Sequence, residues 1–309
     1  MKYFVITIDT EGDNLWQWDK KSPITTENTT YLIRFQKLAE QYGFKPVWLT
    51  NFEMISDPRY VDFIVDVEER KVGEVGMHLH AWNTPPLFTL PKIQSGLPYL
   101  IEYPEGIMRN KVETMTSLIE KKTGVRPTSH RAGRWSRDER YFRILKDFGY
   151  TVDCSVTPHH SWQSSPGQTE INGTDFSGYP EQPYWVDIEQ TLLEVPVNIR
   201  PSHFFVFPES FTLKNVARNI RDAYRGYNLW LRPNGKNEKQ MLYFLNVVND
   251  SEADYIMFML HSSELMPGGS PAFGTEHAIE QLYITLQHVF SKAAKLFSGI
   301  TLRDYRNVK

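Results

Sequence analysis

The chain has 309 residues, 40% of them hydrophobic and 23% charged, which suits a globular α/β protein with a sizeable core. A net charge of −3 leaves no basic excess to neutralise a phosphate backbone, so nucleic acid is excluded as a principal partner. The single cysteine, Cys154, rules out an internal disulfide and a cysteine-based zinc site, so a transition metal here must rely on His and carboxylate ligands.

Phe4-Val5-Ile6-Thr7-Ile8 reads as a strand buried on both faces, and it runs into Asp9-Thr10-Glu11-Gly12-Asp13. Carboxylates at the carboxyl end of a buried strand sit where α/β enzymes build active sites. The strand period of two sends Asp9 and Glu11 to one side and Thr10 to the other. Three- and four-residue spacing from Tyr31 to Tyr42, with Gly43 as a stop, predicts a helix, and Val47-Trp48-Leu49 a strand. A helix over about 58–70 leads to Val75-Gly76-Met77-His78-Leu79-His80, a second apolar run that ends in metal-competent side chains one residue apart. Another helix over 105–122, stopped by Gly124, precedes Ser129-His130-Arg131. A helix near 138–148 and strands at 150–153, 192–195 and 255–260 follow, with a last helix over 275–297.

This alternation, with at least six strand-like segments separated by helices, predicts a parallel-stranded α/β barrel, complete or incomplete. We expect one domain over 1–309, with long insertions at about 83–104 and 156–190 that either lie over the site as a lid or substrate wall or decorate the periphery. No stretch approaches the ~18–20 apolar residues of a membrane span, and no leader-like segment precedes the first strand, so the expectation is a soluble, cytoplasmic protein. Oligomeric state is not legible.

Two imidazoles and a carboxylate leave an open coordination position for water, as a hydrolytic metal centre requires. Arg131 is a candidate to keep a catalytic carboxylate ionised and oriented, and Arg134 lies beside it. His261 ends the strand Met259-Leu260-His261 in the same way as the other strand-end polar groups. His159 and His160 are expected to be surface histidines or substrate contacts. The tryptophans Trp16, Trp18, Trp82 and Trp135 flank these segments and can either stack on sugar rings or pack the barrel mouth.

Taken in order, these segments resemble the polysaccharide deacetylase family, the NodB-homology carbohydrate esterases. The resemblance rests on Thr7-Ile8-Asp9-Thr10-Glu11-Gly12-Asp13, Glu74-Val75-Gly76-Met77-His78, Arg126-Pro127 with His130-Arg131-Ala132-Gly133, Asp153-Cys154-Ser155 and Leu260-His261-Ser262. It implies a distorted, incomplete (β/α) barrel of about seven parallel strands that uses a divalent metal, usually zinc, to remove an N-acetyl group from a sugar, and it points to the lipopolysaccharide-biosynthesis branch. By the same resemblance Asp9 is the base, Arg131 its tether, His261 the acid toward the departing amine and Asp153 the orienting acid of His261. Trp82, Trp135 and Arg134 would contact the acetamido-sugar substrate.

The chain departs from the family pattern at two places. The family's second Asp is Thr10 here, and its second histidine, usually at i+4 from the first, is Trp82. The strand period offers Glu11, His78 and His80 as a rebuilt triad with Asp9 as base, and the opposite division of roles between Asp9 and Glu11 remains open. Two rival functions stand beside the deacetylase: a same-fold amidohydrolase acting on a small non-sugar amide, and a catalytically inactive relative that binds glycans.

Overall fold

A computed structural model of the chain describes residues 1–203, 205 and 213–309. The first part runs β1 (Tyr3–Thr10), α1 (Leu32–Gln41), β2 (Val47–Thr50), α2 (Phe52–Ser56), α3 (Pro58–Glu69) and β3 (Glu74–Leu79). Next come α4 (Glu105–Thr123), β4 (Ser129–Ala132), α5 (Glu139–Asp147), β5 (Val152–Asp153), β6 (Tyr184–Trp185) and β7 (Leu193–Glu194). The remainder holds β8 (Ile199–Ser202), α6 (Leu213–Arg225), β9 (Tyr227–Trp230), α7 (Glu238–Asn249), β10 (Tyr255–His261), α8 (Glu276–Leu296), β11 (Ser298–Gly299) and α9 (Leu302–Arg306). The helices begin and end where local chemistry dictates. Asp57 and Asp138 accept hydrogen bonds from the first-turn N–H groups of α3 and α5, and Gly124, at φ +74°, closes α4.

The main sheet runs β10-β1-β2-β3-β4-β5-β7-β6, parallel except for the edge strand β6, and curls into an open half-barrel. Seven consecutive parallel strands match the sequence expectation. β1 lies inside the sheet, and its alternation divides the core. Phe4, Ile6 and Ile8 pack against the helices, whereas Val5 faces inward with Met257 and Met259 of β10, Leu49 of β2 and Val152 of β5. The inward row of β1 continues through Thr7 to Asp9, so the polar groups stand at the carboxyl mouth of an otherwise apolar interior.

The barrel is left open between β7 and β10, and a side chain bridges the opening. Asn198 accepts a hydrogen bond from Met257 N at 2.7 Å and donates to Tyr255 O at 3.5 Å, so its amide acts as a short piece of strand beside β10. Leu231 O accepts from Met259 N one step further along. The stretch between 196 and 254, for which the sequence predicted no element, supplies the antiparallel ribbon of β8 and β9 together with α6 and α7. A four-residue strand carries too few alternations to be read against loop composition. Among the described residues, no helix is long and apolar enough to cross a membrane.

Asn198→Ala should cost about 1–3 kcal/mol, because it strips the buried Met257 N–H of its acceptor. Urea unfolding measures it, and a change within ~0.5 kcal/mol would show that the opening does not depend on this amide.

Candidate metal centre

Register brings the polar strand ends together. Asp9 pairs with His261 across β1 and β10, and His78 pairs with Arg131 across β3 and β4, so the expected residues stand in two neighbouring pairs at the carboxyl ends of the strands. Glu11 lies one step beyond β1, where Ser262 and Asn28 clamp its backbone. Ser262 Oγ accepts from Glu11 N and donates to Glu11 O, and Asn28 Nδ2 also donates to Glu11 O at 2.8 Å. Asp13 points elsewhere and braces the following turn by accepting from Thr25 Oγ1 and Asn28 N.

Glu11, His78 and His80 form a buried group whose ligand atoms all lie within 4.8 Å of one another. Glu11 Oε2 is 3.2 Å from His80 Nε2 and 3.7 Å from His78 Nε2. The donor set of two imidazoles and a carboxylate suits a divalent ion with an open position. The ring of His78 is already set for coordination, because its Nδ1–H donates to Arg131 O at 3.0 Å and leaves the Nε2 lone pair facing Glu11. Burial opposes ionisation of Glu11, but the neighbouring His261 and the two facing histidines hold its carboxyl well below the usual range. A buried carboxylate faced by two ring nitrogens is an arrangement that a cation completes. Gly133 permits it: a Cβ there would fall 2.3 Å from Leu79 O and 2.7 Å from His80 Cδ2.

Asp9 stands beside the triad and is held separately. Arg131 is fully buried and reaches across the interior, donating from Nη1 to Asp9 Oδ1 at 2.6 Å, from Nη2 to Thr7 Oγ1 at 2.9 Å and from Nε to Cys154 O at 3.1 Å. Burial acts against the Asp9 carboxylate, yet Arg131, with His78 and His261, keeps its pKa below the ordinary value. Its second oxygen is 3.8 Å from His261 Nε2.

His261 is oriented by Glu264 and not by Asp153. Glu264 Oε2 accepts from His261 N at 2.8 Å and lies 3.1 Å from His261 Nδ1, while Arg232 Nη2 reaches the same Nδ1 at 3.0 Å. Asp153 is on the wrong face. Val152 and Cys154 point into the barrel, so the residue between them points out toward α5, where its Oδ1 contacts His130 Nδ1 and accepts from Ser155 Oγ, both at 2.7 Å. The expectation that Asp153 orients His261 is therefore corrected. Glu264 escaped notice because it lies past the strand, although its spacing of three from His261 is a capping-box signal.

A cavity of about 380 Å³ opens above these groups, walled by Trp16, Trp82, Trp135, Trp162, Tyr99 and Arg134. Trp82, which replaces the i+4 histidine, stacks on His80 with ring centroids 4.3 Å apart. Trp135 lies over the Arg131 guanidinium and stacks on Trp162. Arg134 and Trp135 both have left-handed backbones, at φ +56° and +66°, which bulky residues rarely adopt outside constrained sites. The Arg134 guanidinium ties two loops together by donating to Leu97 O and Pro166 O. Glu102 joins the same loops by accepting from Gln168 N and Thr169 N, and buried Lys111 fixes the first loop through Thr84 O and Pro86 O. Segments 83–104 and 156–190 thus form one wall of the cavity. His159 pairs with Glu181 and His160 packs on Trp162, so neither lines it.

No protein-family model matches the chain, and no curated protein does. Solved structures do. A glycoside hydrolase/deacetylase, provisionally assigned, from Parabacteroides distasonis superposes with a TM-score of 0.62 at 10% identity, over 99% of this chain and 70% of that one. A provisionally assigned polysaccharide deacetylase from Mycobacterium smegmatis gives 0.57 at 13% identity over 99% and 90%, and an allantoinase 0.55 at 14% over 99% and 88%. At these identities the likeness is one of fold alone, the open half-barrel.

Purified protein equilibrated with zinc should retain roughly one ion per chain, and His78→Ala, His80→Ala or Glu11→Gln should each lose it on dialysis, as read by elemental analysis. Gly133→Ala should weaken zinc affinity by about 10-fold or more through His80 while the circular dichroism is unchanged. Zinc bound equally well by all four variants would place the ion elsewhere.

Proposed function

We propose that the protein is a metal-dependent hydrolase that removes the N-acetyl group from an acetamido sugar in a polysaccharide or lipopolysaccharide precursor. The reading takes residues 1–309 as one catalytic unit acting in the cytoplasm. The observation that carries it is the placement of a carboxylate and two histidines within ligand distance of one another, beside an Arg-held aspartate and a Glu-held histidine that are themselves neighbours.

Glu11, His78 and His80 would hold the ion. A divalent ion bound there supplies Lewis acidity to the acyl oxygen and lowers the pKa of a water. Asp9 is the base: Arg131 keeps it ionised and aimed, so it accepts the proton that the attacking water loses as its oxygen bonds to the acyl carbon. His261 is the acid. As the C–N bond breaks, its Nε2–H passes a proton to the departing nitrogen, and acetate and a free amine result. Glu264 holds the other ring nitrogen and stabilises the protonated ring, while Trp82, Trp135 and Arg134 form the side of the pocket against which a sugar ring lies. Trp16, whose indole N–H donates to Ser263 Oγ, packs edge-on against His261 and closes the opposite side.

The two departures from the family motifs fit this division. Thr10 points away from the mouth and donates to Ile8 O, so it contributes no ligand, and Glu11 supplies the carboxylate in its place. His80 replaces the i+4 histidine by the period-two rule, and Trp82 caps the ring it would otherwise have competed with. The allantoinase of similar fold keeps a small non-sugar amide in view as a second substrate class, but the indole-rich cavity favours a sugar ring.

Zinc-loaded protein should release acetate from acetamido sugars. Asp9→Asn and His261→Ala should each lower kcat by about 10²–10⁴-fold while the ion is retained. Release from a small amide with none from any sugar would overturn the deacetylase assignment, and an unchanged kcat in Asp9→Asn would remove Asp9 as the base.

A further inference from the structure

Glu11 and His80 each lie one residue past the end of a strand, β1 ending at Thr10 and β3 at Leu79, whereas His78 stands within β3 and is paired with Arg131. The two outer ligands therefore need a brace other than the sheet. β2 runs between their strands and sends none of its own residues into the reaction pocket, but the segment that follows it reaches both. Asn51, also one residue past its strand, is fully buried and donates its backbone N–H to Thr10 O at 3.0 Å. Its Oδ1 accepts from Met54 N at 3.4 Å, which leaves Nδ2 facing His80 Nδ1 at 3.5 Å.

Glu53, on α2, gathers this arrangement. Its Oε1 accepts from Gly12 N at 3.0 Å and from Asn51 Nδ2, and its Oε2 accepts from Asn83 Nδ2. The three donors belong to the residue after Glu11, the residue against His80, and the residue after Trp82, whose ring stacks on His80. Gly12 admits the approach: a Cβ there would lie 2.2 Å from Ile24 Cγ2 and 3.2 Å from Glu53 Oε1. One carboxylate that does not line the pocket thus joins the segments that carry or cover two of the three candidate ligands.

We propose that Glu53 is a positioning residue of the metal centre, an acceptor that touches neither ion nor substrate and sets where Glu11 and His80 present their ligand atoms. The proposal rests on the metal reading of the triad. Partners that orient ligands from outside the coordination sphere are worth roughly 10- to 100-fold in metal affinity. The acceptor matters here and not the charge, because glutamine fits the same place: its oxygen can take Gly12 N and Asn51 Nδ2. Its amide can donate to Asn83 Oδ1, which has no partner among the described residues, once the Asn83 amide turns over.

Zinc dissociation constants from chelator competition, with the visible spectrum of the cobalt-loaded protein as a report on ligand geometry, test this. Glu53→Ala should weaken zinc binding about 10- to 100-fold and change the cobalt spectrum, whereas Glu53→Gln should stay within about 3-fold of the unaltered protein and keep its spectrum. Asn198→Ala is the structural control: it should lower stability in urea and move neither the zinc constant nor the spectrum. Should Glu53→Ala be too unstable to purify, Asn51→Ala, which cuts the same link to His80, carries the test with an expected loss of about 10-fold. Unchanged zinc affinity in the alanine variant, equal losses in Glu53→Ala and Glu53→Gln, or a matching loss in Asn198→Ala would overturn the proposal and leave the triad standing. An unaltered protein that binds no zinc would end the metal reading, and the proposal with it. None of these readouts depends on acetate release, so they hold whichever amide the pocket takes.

Discussion

The site is organised around Arg131. Its side chain lies wholly inside the barrel and gives Asp9 a charged partner at 2.6 Å, while its backbone carbonyl takes the Nδ1–H of His78. One residue therefore holds the proposed base through its guanidinium and sets the ring of a proposed ligand through its main chain. A guanidinium in an apolar interior is tolerable only if its donors are matched, and Thr7, Cys154 and Asp9 match them. Removing either partner of such a pair leaves an uncompensated buried charge, typically a loss of about 3–5 kcal/mol, so the geometry of base and ligand is tied to the stability of the barrel.

The half-barrel gives this arrangement its position. Inward rows on β1, β3, β4 and β10 end at the carboxyl mouth, where Asp9 lies beside His261 and His78 beside Arg131. An incomplete barrel leaves one side to be finished by other means: Asn198 bridges β10, and Leu231, just past β9, accepts from Met259 N. On the other side, Arg134 and Glu102, together with Tyr99, Gln94 and Gln168, tie two loops into one wall, so the surface facing a substrate rests on cross-loop hydrogen bonds and not on a regular element.

The period of two made much of this legible. It placed Asp9 with Glu11 and His78 with His80, and Arg131 followed from its place at a strand end beside them. The same rule, applied to Val152-Asp153-Cys154, would have turned Asp153 outward, since the apolar neighbours must face the core; the motif likeness drew it inward instead. Glu264 and Arg232 lie outside strands, where no periodicity marks a side chain's direction, and each reaches His261 only through the path of a loop.

The account turns on a cation held by Glu11, His78 and His80 with Asp9 kept apart from it by Arg131. Anomalous diffraction at the zinc edge from zinc-loaded crystals tests this most directly. The account predicts one peak with ligand distances of about 2.0–2.2 Å to a Glu11 oxygen and the Nε2 atoms of both histidines, with Asp9 still paired to Arg131. A peak ligated by Asp9 in place of Glu11, or no peak at the barrel mouth, would contradict it.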